Sequence, residues 1–114
     1  MKQRLLVMNG QRIVQHEQEG QWQTDKVEKA GNVKPGIYNL YLASEADKST
    51  VHDGVIVHAD ANAVYQKVGK QLVQHHRSVF DKVPELGGSC SIRYEENRAI
   101  TMPSSARLKR GLSR

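Results

Sequence analysis

The sequence predicts an α+β fold that is mostly β: a small antiparallel sheet, curled or closed into a barrel, with two or three short helices. Three observations favour it. About six short segments have strand-like apolar patterns, turn dipeptides separate them, and a few polar segments begin with helix-capping residues. The chain has 114 residues, of which 38% are hydrophobic. We therefore expect one compact domain over residues 1–102 and a flexible basic tail over residues 103–114.

The first predicted element is a hairpin. Residues 4–8 and 11–15 are strand-like and flank the dipeptide Asn9-Gly10. Asn and Gly accept the positive φ angles of a type I′ turn, whose twist suits a two-residue connection between antiparallel strands. Residues 16–22 are polar and predict a loop or the frayed end of the second strand.

Three later segments predict short helices. Residues 24–31 run from a candidate N-cap, Thr24, to a glycine, and residues 60–69 do the same from Asp60. In the second segment Val64 and Val68 are four residues apart, a helical spacing. Residues 78–81 predict one helical turn that Pro84 prevents from extending.

The remaining segments predict strands. Residues 37–43 alternate after a Pro-Gly turn, with Tyr38, Leu40 and Leu42 on the face that we expect in the core. Residues 51–59 predict a strand bulged near Gly54. Residues 70–76 predict a short strand, and residues 91–94 and 98–102 predict a closing hairpin.

The charge pattern points to one interaction candidate. The net charge is +5, and residues 101–114 hold four basic and no acidic side chains. These cations can contact phosphates, dock on an acidic protein, or simply keep the end solvated. The candidate binding residues are Arg107, Lys109, Arg110 and Arg114 of the tail, with Arg93, Tyr94 and Arg98 in the body.

Reactive side chains do not predict a catalytic, metal or cofactor site. His52 and His58 share a strand face only if the strand is not bulged, and the adjacent His75 and His76 point to opposite sides. Cys90 stands between two serines at the start of a strand, where inert packing is the simplest interpretation. One cysteine also excludes an intrachain disulfide.

Hydropathy predicts a cytoplasmic protein without a membrane segment. No apolar run approaches the ~20 residues that span a bilayer. The apolar stretch near the N-terminus is shorter than the roughly 7–15 residues of a secretory signal.

The central and C-terminal motifs resemble the KfrB domain, a family of plasmid and conjugative-element proteins. Its pattern is a Gly-led strand, a segment ending in Gln-x-x-Gly, a Val-x-His strand and an Ile-x-Tyr hairpin. After Gly54, the matching pairs here are Gln66 and Gly69, Val73 and His75, and Ile92 and Tyr94. The likeness covers residues 51–102. Asn97 stands where the family's last hairpin usually has glycine, and about the first 45 residues lie outside the pattern.

The resemblance implies an accessory role in plasmid maintenance, segregation or transfer, with no catalytic residues. We therefore expect a non-enzymatic protein that contacts a plasmid-encoded protein partner. The alternative is a small nucleic-acid-binding barrel that uses the basic tail. An enzyme would require His58, His75 and Cys90 to meet in a pocket.

Overall fold

Two β-sheets form the fold over residues 2–103, the part of the chain that the computed structural model describes. The strands are β1 Gln3–Met8, β2 Gln11–Gln18, β3 Gln21–Lys29, β4 Gly36–Tyr38, β5 Ser44–Glu45, β6 His52–Ala59, β7 Ala63–Val68, β8 Gln71–His76, β9 Ser89–Glu95 and β10 Arg98–Pro103. The first sheet has the strand order β3-β2-β1-β4, and the second has β10-β9-β6-β7-β8-β5. All strand pairs are antiparallel except β5 with β8.

The hairpin predicted at the start of the chain is confirmed. Asn9 and Gly10 have φ angles of 52° and 75°, as a type I′ turn requires. A second turn with two positive φ angles joins β2 to β3 at Glu19 and Gly20. Only a loop or a frayed strand end is predicted here, because glutamate has no preference for positive φ.

The helical part of the prediction is wrong. Residues 24–29 belong to β3, and residues 63–68 form β7. The third segment has only a 3₁₀ turn, at Arg77–Val79, and a second such turn lies at Leu40–Leu42. Residues 2–103 contain no longer helix, and their two sheets do not close into a barrel.

Local hydrogen bonding explains the error at residues 60–69. The Asp60 carboxylate accepts hydrogen bonds from the backbone N–H groups of Asn62 and Ala63, both at 2.8 Å. These are the bonds of a helix cap, but here they shape a turn that enters a strand. The residues that follow, 63–66, are all buried. A strand that is covered on both faces has a continuous run of apolar residues. The spacing of apolar residues in such a run does not distinguish a strand from a buried helix.

The predicted strand at residues 37–43 is also shorter than expected. It ends at Tyr38, and the 3₁₀ turn at Leu40–Leu42 turns the chain away. Tyr38 and Leu40 are buried as predicted, but Leu42 is 64% exposed.

Two apolar clusters cover the two faces of the second sheet. The first fills the space between the sheets, and β6 and β7 contribute Val57 and Tyr65 to it. The second lies on the opposite face and includes Ile56, Val64 and Phe80. Alternation along β6 and β7 therefore sends side chains into both clusters, which makes these two strands the centre of the fold.

The strand β6 departs from regular pairing between Ile56 and His58, rather than near Gly54 as predicted. Gly54 has a different role. A Cβ atom at this position would lie 1.9 Å from the Lys67 carbonyl oxygen, so β6 and β7 approach too closely for any side chain.

Candidate functional site

Three residues of the KfrB-like motifs form a buried polar chain across β7, β8 and β9. Gln66 and His75 are fully buried, and Tyr94 is partly buried. The Gln66 Oε1 atom lies 3.0 Å from His75 Nε2, and His75 Nδ1 lies 2.6 Å from the Tyr94 hydroxyl. The Gln66 Nε2 atom donates to the backbone carbonyls of His52, Gly54 and Cys90, at 3.0–3.3 Å.

The direction of each hydrogen bond follows from the Gln66 amide. Its nitrogen faces three carbonyl oxygens, so its oxygen must accept the proton of His75 Nε2. His75 Nδ1 is then an acceptor, and the Tyr94 hydroxyl donates to it. Burial, with the His52 ring centroid 5.3 Å away, lowers the pKa of His75 to about 4. Burial raises the pKa of Tyr94 to about 12, so both groups are neutral near pH 7.

This chain of hydrogen bonds connects the central strands of the second sheet. Gln66 bridges β7 to the backbones of β6 and β9, and His75 with Tyr94 connects β8 to β9. The motif residues thus satisfy one another inside the fold, and their geometry serves the architecture of the sheet.

A second buried polar contact joins the two sheets. Arg12 of β2 is 5% exposed, and its Nη2 atom donates to His58 Nδ1 of β6 at 3.1 Å. Its Nη1 atom forms an ion pair with Glu28 at 3.2 Å, while its buried Nε has no hydrogen-bond partner among the described residues. Burial, reinforced by the Arg12 charge, lowers the pKa of His58.

The histidines do not gather at one site, although the rings of His52 and His75 lie 5.3 Å apart. His16 contacts Asp25, and His76 contacts Glu45. His58 faces the first sheet, whereas His52 and His75 lie on the other face of the second sheet. Over residues 2–103, no group of three or more His, Cys, Asp or Glu residues is placed to hold a metal ion.

The structure does not bring together the residues that an enzyme hypothesis required. His58 and His75 are on opposite faces, as above, and Cys90 is buried in the second apolar cluster. Burial, with Asp53 nearby, raises the pKa of the Cys90 thiol to about 11. The thiol is therefore protonated near pH 7.

The predicted binding residues of the body lie in the hairpin of β9 and β10. Arg93 is paired with Glu95 at 2.9 Å, and Arg98 is paired with Asp81. The Tyr94 hydroxyl is bonded to His75, as described above. The remaining predicted residues, Arg107, Lys109, Arg110 and Arg114, lie outside the described residues.

A basic groove, which the sequence did not predict, lies between β4 and the β7–β8 turn. Two adjoining clefts of about 370 and 280 Å³ share Tyr38 and Lys67 and together form it. We call it the lysine groove. Its lining residues are Pro35, Ile37, Tyr38, Asn39, Leu42, Ser44, Val55, Val57, Gly69, Gln71 and Leu72, with Lys34, Lys67 and Lys70.

The charge of the lysine groove is uncompensated by its own lining, which contains three lysines and no Asp or Glu. Lys34 and Lys70 form no ion pair with another residue of the described chain. Lys67 lies 5.9 Å from the centroid of the Tyr38 ring. A concave surface lined by one sign of charge concentrates its field, so this groove attracts anionic groups.

The groove is not apparent in the sequence because Lys34 is distant along the chain from Lys67 and Lys70. Lys34 precedes β4, while Lys67 and Lys70 flank the glycine turn between β7 and β8. Only the packing of the first sheet on the second brings them together. The sequence does indicate that each lysine is on the surface, because each one is close to a Pro-Gly or glycine turn and turns lie on the surface.

These features define a small two-sheet β protein, with a buried Gln-His-Tyr chain in one sheet and a basic groove on its surface. The family model for the KfrB domain matches residues 51–103. Protein TraB of Escherichia coli is 34% identical to the chain over 98 residues, which cover 83% of this chain and 67% of TraB. The chain belongs to the KfrB domain family, as the motifs indicated, and this membership together with the likeness to TraB indicates a plasmid-associated protein.

The likeness to TraB reaches further than the KfrB match. The 98 aligned residues cannot fit within residues 51–114, so the alignment includes part of the chain before Val51. The first sheet therefore lies at least partly within the shared sequence. Among the described residues, none of the helices is long and apolar enough to cross a membrane.

Proposed function

We propose that this protein is a non-enzymatic accessory factor of a plasmid or integrative conjugative element. It acts in the bacterial cytoplasm, in maintenance, segregation or transfer, by binding another protein that the element encodes. Membership of the KfrB domain family supports the plasmid setting. The lysine groove is the observation that supports binding.

The groove combines the two properties of a protein-docking surface. Its exposed wall residues Ile37 and Leu42 are 63% and 64% exposed, so they offer apolar area that a partner can cover. Its lysines supply charge at the rim, where complementarity raises the association rate and selects the partner.

Affinity capture from cells that carry the element tests this proposal. Tagged full-length protein should retain a segregation or transfer protein of that element, identified by mass spectrometry, and cells cured of the element provide the control. Retention of no such protein, at several salt concentrations, would contradict the proposal.

The second candidate function is binding to nucleic acid through the tail, favoured by the four cations of residues 101–114. Gel-shift titrations should then show affinity that falls steeply with salt and weakens when residues 103–114 are deleted. Binding that is insensitive to both changes would exclude this mode.

A further inference from the structure

We infer that the lysine groove binds an extended, acidic peptide segment of its protein partner, one that alternates carboxylate and aliphatic side chains. This inference rests on the proposed function and deepens it by naming the chemistry of the partner. Charge, wall composition and strand edges each support it.

The charge of the groove calls for an anionic ligand. Lys34, Lys67 and Lys70 are exposed and have no carboxylate beside them in the lining. By contrast, Arg93 and Arg98 on the second hairpin already have acidic partners. Among the described residues, an incoming carboxylate therefore displaces no ion pair of Lys34, Lys67 or Lys70 in the groove, whereas it would compete with one at Arg93 or Arg98.

The walls favour a peptide over a nucleic acid. The exposed apolar side chains of the groove are aliphatic, Ile37 and Leu42, whereas single-stranded nucleic acids bind by stacking bases on aromatic rings. The aromatic residue in the lining, Tyr38, is 7% exposed, and its hydroxyl donates to the Lys34 carbonyl at 2.7 Å. It offers no free ring face, so aliphatic side chains fit these walls better than bases do.

Strand edges beside the groove favour an extended conformation of the ligand. β4 is the terminal strand of the first sheet and pairs only with β1. β8 pairs with β5 only at Val73 and Gln74, so the described strands leave Gln71 and Leu72 without a neighbour on that side. Unpaired strand edges bind extended peptides through main-chain hydrogen bonds, while alternate side chains enter pockets.

The inference is tested with the full chain and a defined probe: a short synthetic peptide that alternates Glu with Ile and Val. Backbone amide chemical shifts should change in residues 34–44 and 67–72 as the peptide is added. Two further probes separate the alternatives: the same peptide with Lys in place of Glu, and a short oligothymidylate. Neither should shift these amides at the same concentration.

Charge reversal supplies the matched variants. The double variant Lys67→Glu/Lys70→Glu should bind the acidic peptide about tenfold more weakly or worse, because two attractive contacts become repulsive. Lys82→Glu, an exposed lysine outside the groove, should change affinity by less than about twofold. A native-like amide spectrum of each variant shows that it is folded.

Four results would contradict the inference. Failure of the acidic peptide to bind, binding outside the groove, equal weakening by both variants, or preference for the oligonucleotide would each contradict it. Capture of an element-encoded protein separates the two proposals. If the double variant captures that protein as well as the native chain does, the groove assignment fails and the proposed function stands.

Discussion

The Nε2 atom of His75 lies 3.0 Å from the Oε1 atom of Gln66, and this contact fixes the proton on that nitrogen of the buried imidazole. The opposite nitrogen of the neutral ring then accepts from Tyr94, and burial, with His52 nearby, holds the ring neutral. A group held neutral in the folded state and free to ionise in the unfolded state makes stability depend on pH.

Stability should therefore fall as the solution is acidified from neutral pH. The pKa of His75 is lowered to about 4 in the folded state, against about 6.5 when unfolded, so the unfolded chain binds more protons in this window. This one group should remove about 2 kcal/mol of the free energy of unfolding between about pH 7 and pH 5. The lowered pKa of His58 acts in the same direction.

Urea unfolding at several pH values checks the effect. In the variant His75→Gln, the side chain at position 75 cannot be protonated. The decrease in the free energy of unfolding between neutral pH and pH 5 should therefore be smaller than in the native chain by most of the roughly 2 kcal/mol attributed to His75. An unchanged pH dependence in the variant would show that His75 is not held neutral by the fold.

Gln66→Leu should destabilise the protein by about 2–4 kcal/mol. The leucine has similar volume but leaves His75 Nε2 without its acceptor in the interior and removes one hydrogen bond from each of the carbonyls of His52 and Cys90. Gln23→Leu, at an exposed position of β3, is the matched control and should change stability by less than about 0.5 kcal/mol. Equal effects in chemical denaturation would argue against the buried chain as the cause.

Gly54→Ala should be among the most damaging single-methyl changes, at about 3 kcal/mol or more. The added carbon would lie 1.9 Å from the Lys67 carbonyl oxygen, and relief requires β6 to separate from β7. Gly88→Ala provides the comparison, because its nearest contact would be 3.4 Å, from Glu85. The midpoint of thermal unfolding should decrease strongly in Gly54→Ala and only slightly in Gly88→Ala.

The turn between β9 and β10 should be improvable. Glu96 and Asn97 have φ angles of 50° and 66°, the geometry that Asn9 and Gly10 adopt in the first hairpin. Replacing the pair with Asn-Gly should stabilise the protein by about 1 kcal/mol, because glycine and asparagine tolerate positive φ better than glutamate does. A lower midpoint of urea unfolding in this double variant would contradict the turn assignment.

Much of the strand framework, and the family, could be predicted from the sequence. The turn at Asn9-Gly10 follows from backbone preferences that act over a few residues, and Asn97 takes the positive φ expected of it in the last hairpin. The Gln66, His75 and Tyr94 motifs placed the chain in its family, although nothing in their spacing showed that they bond to one another.

The predicted helices failed because a capping carboxylate and a four-residue apolar spacing are properties of short segments. Asp60 makes the same bonds at the start of a strand, and Val64 with its neighbours is buried because other strands cover both faces of β7. Whether such a segment is helix or strand depends on which partners are available to it, and those partners lie elsewhere in the chain.

By itself, the sequence determined the turn at Asn9-Gly10, several of the strand segments and the family, because these depend on nearby residues and on motifs that can be read directly. Only the tertiary structure decided that the Gln66 amide meets His75 and that Lys34 lines a cleft with Lys67, next to the cleft that Lys67 lines with Lys70. Both outcomes depend on strand pairing and sheet packing between distant segments. The burial of a side chain and the charge around it are set by every segment that packs near it, and these segments are far apart in the sequence.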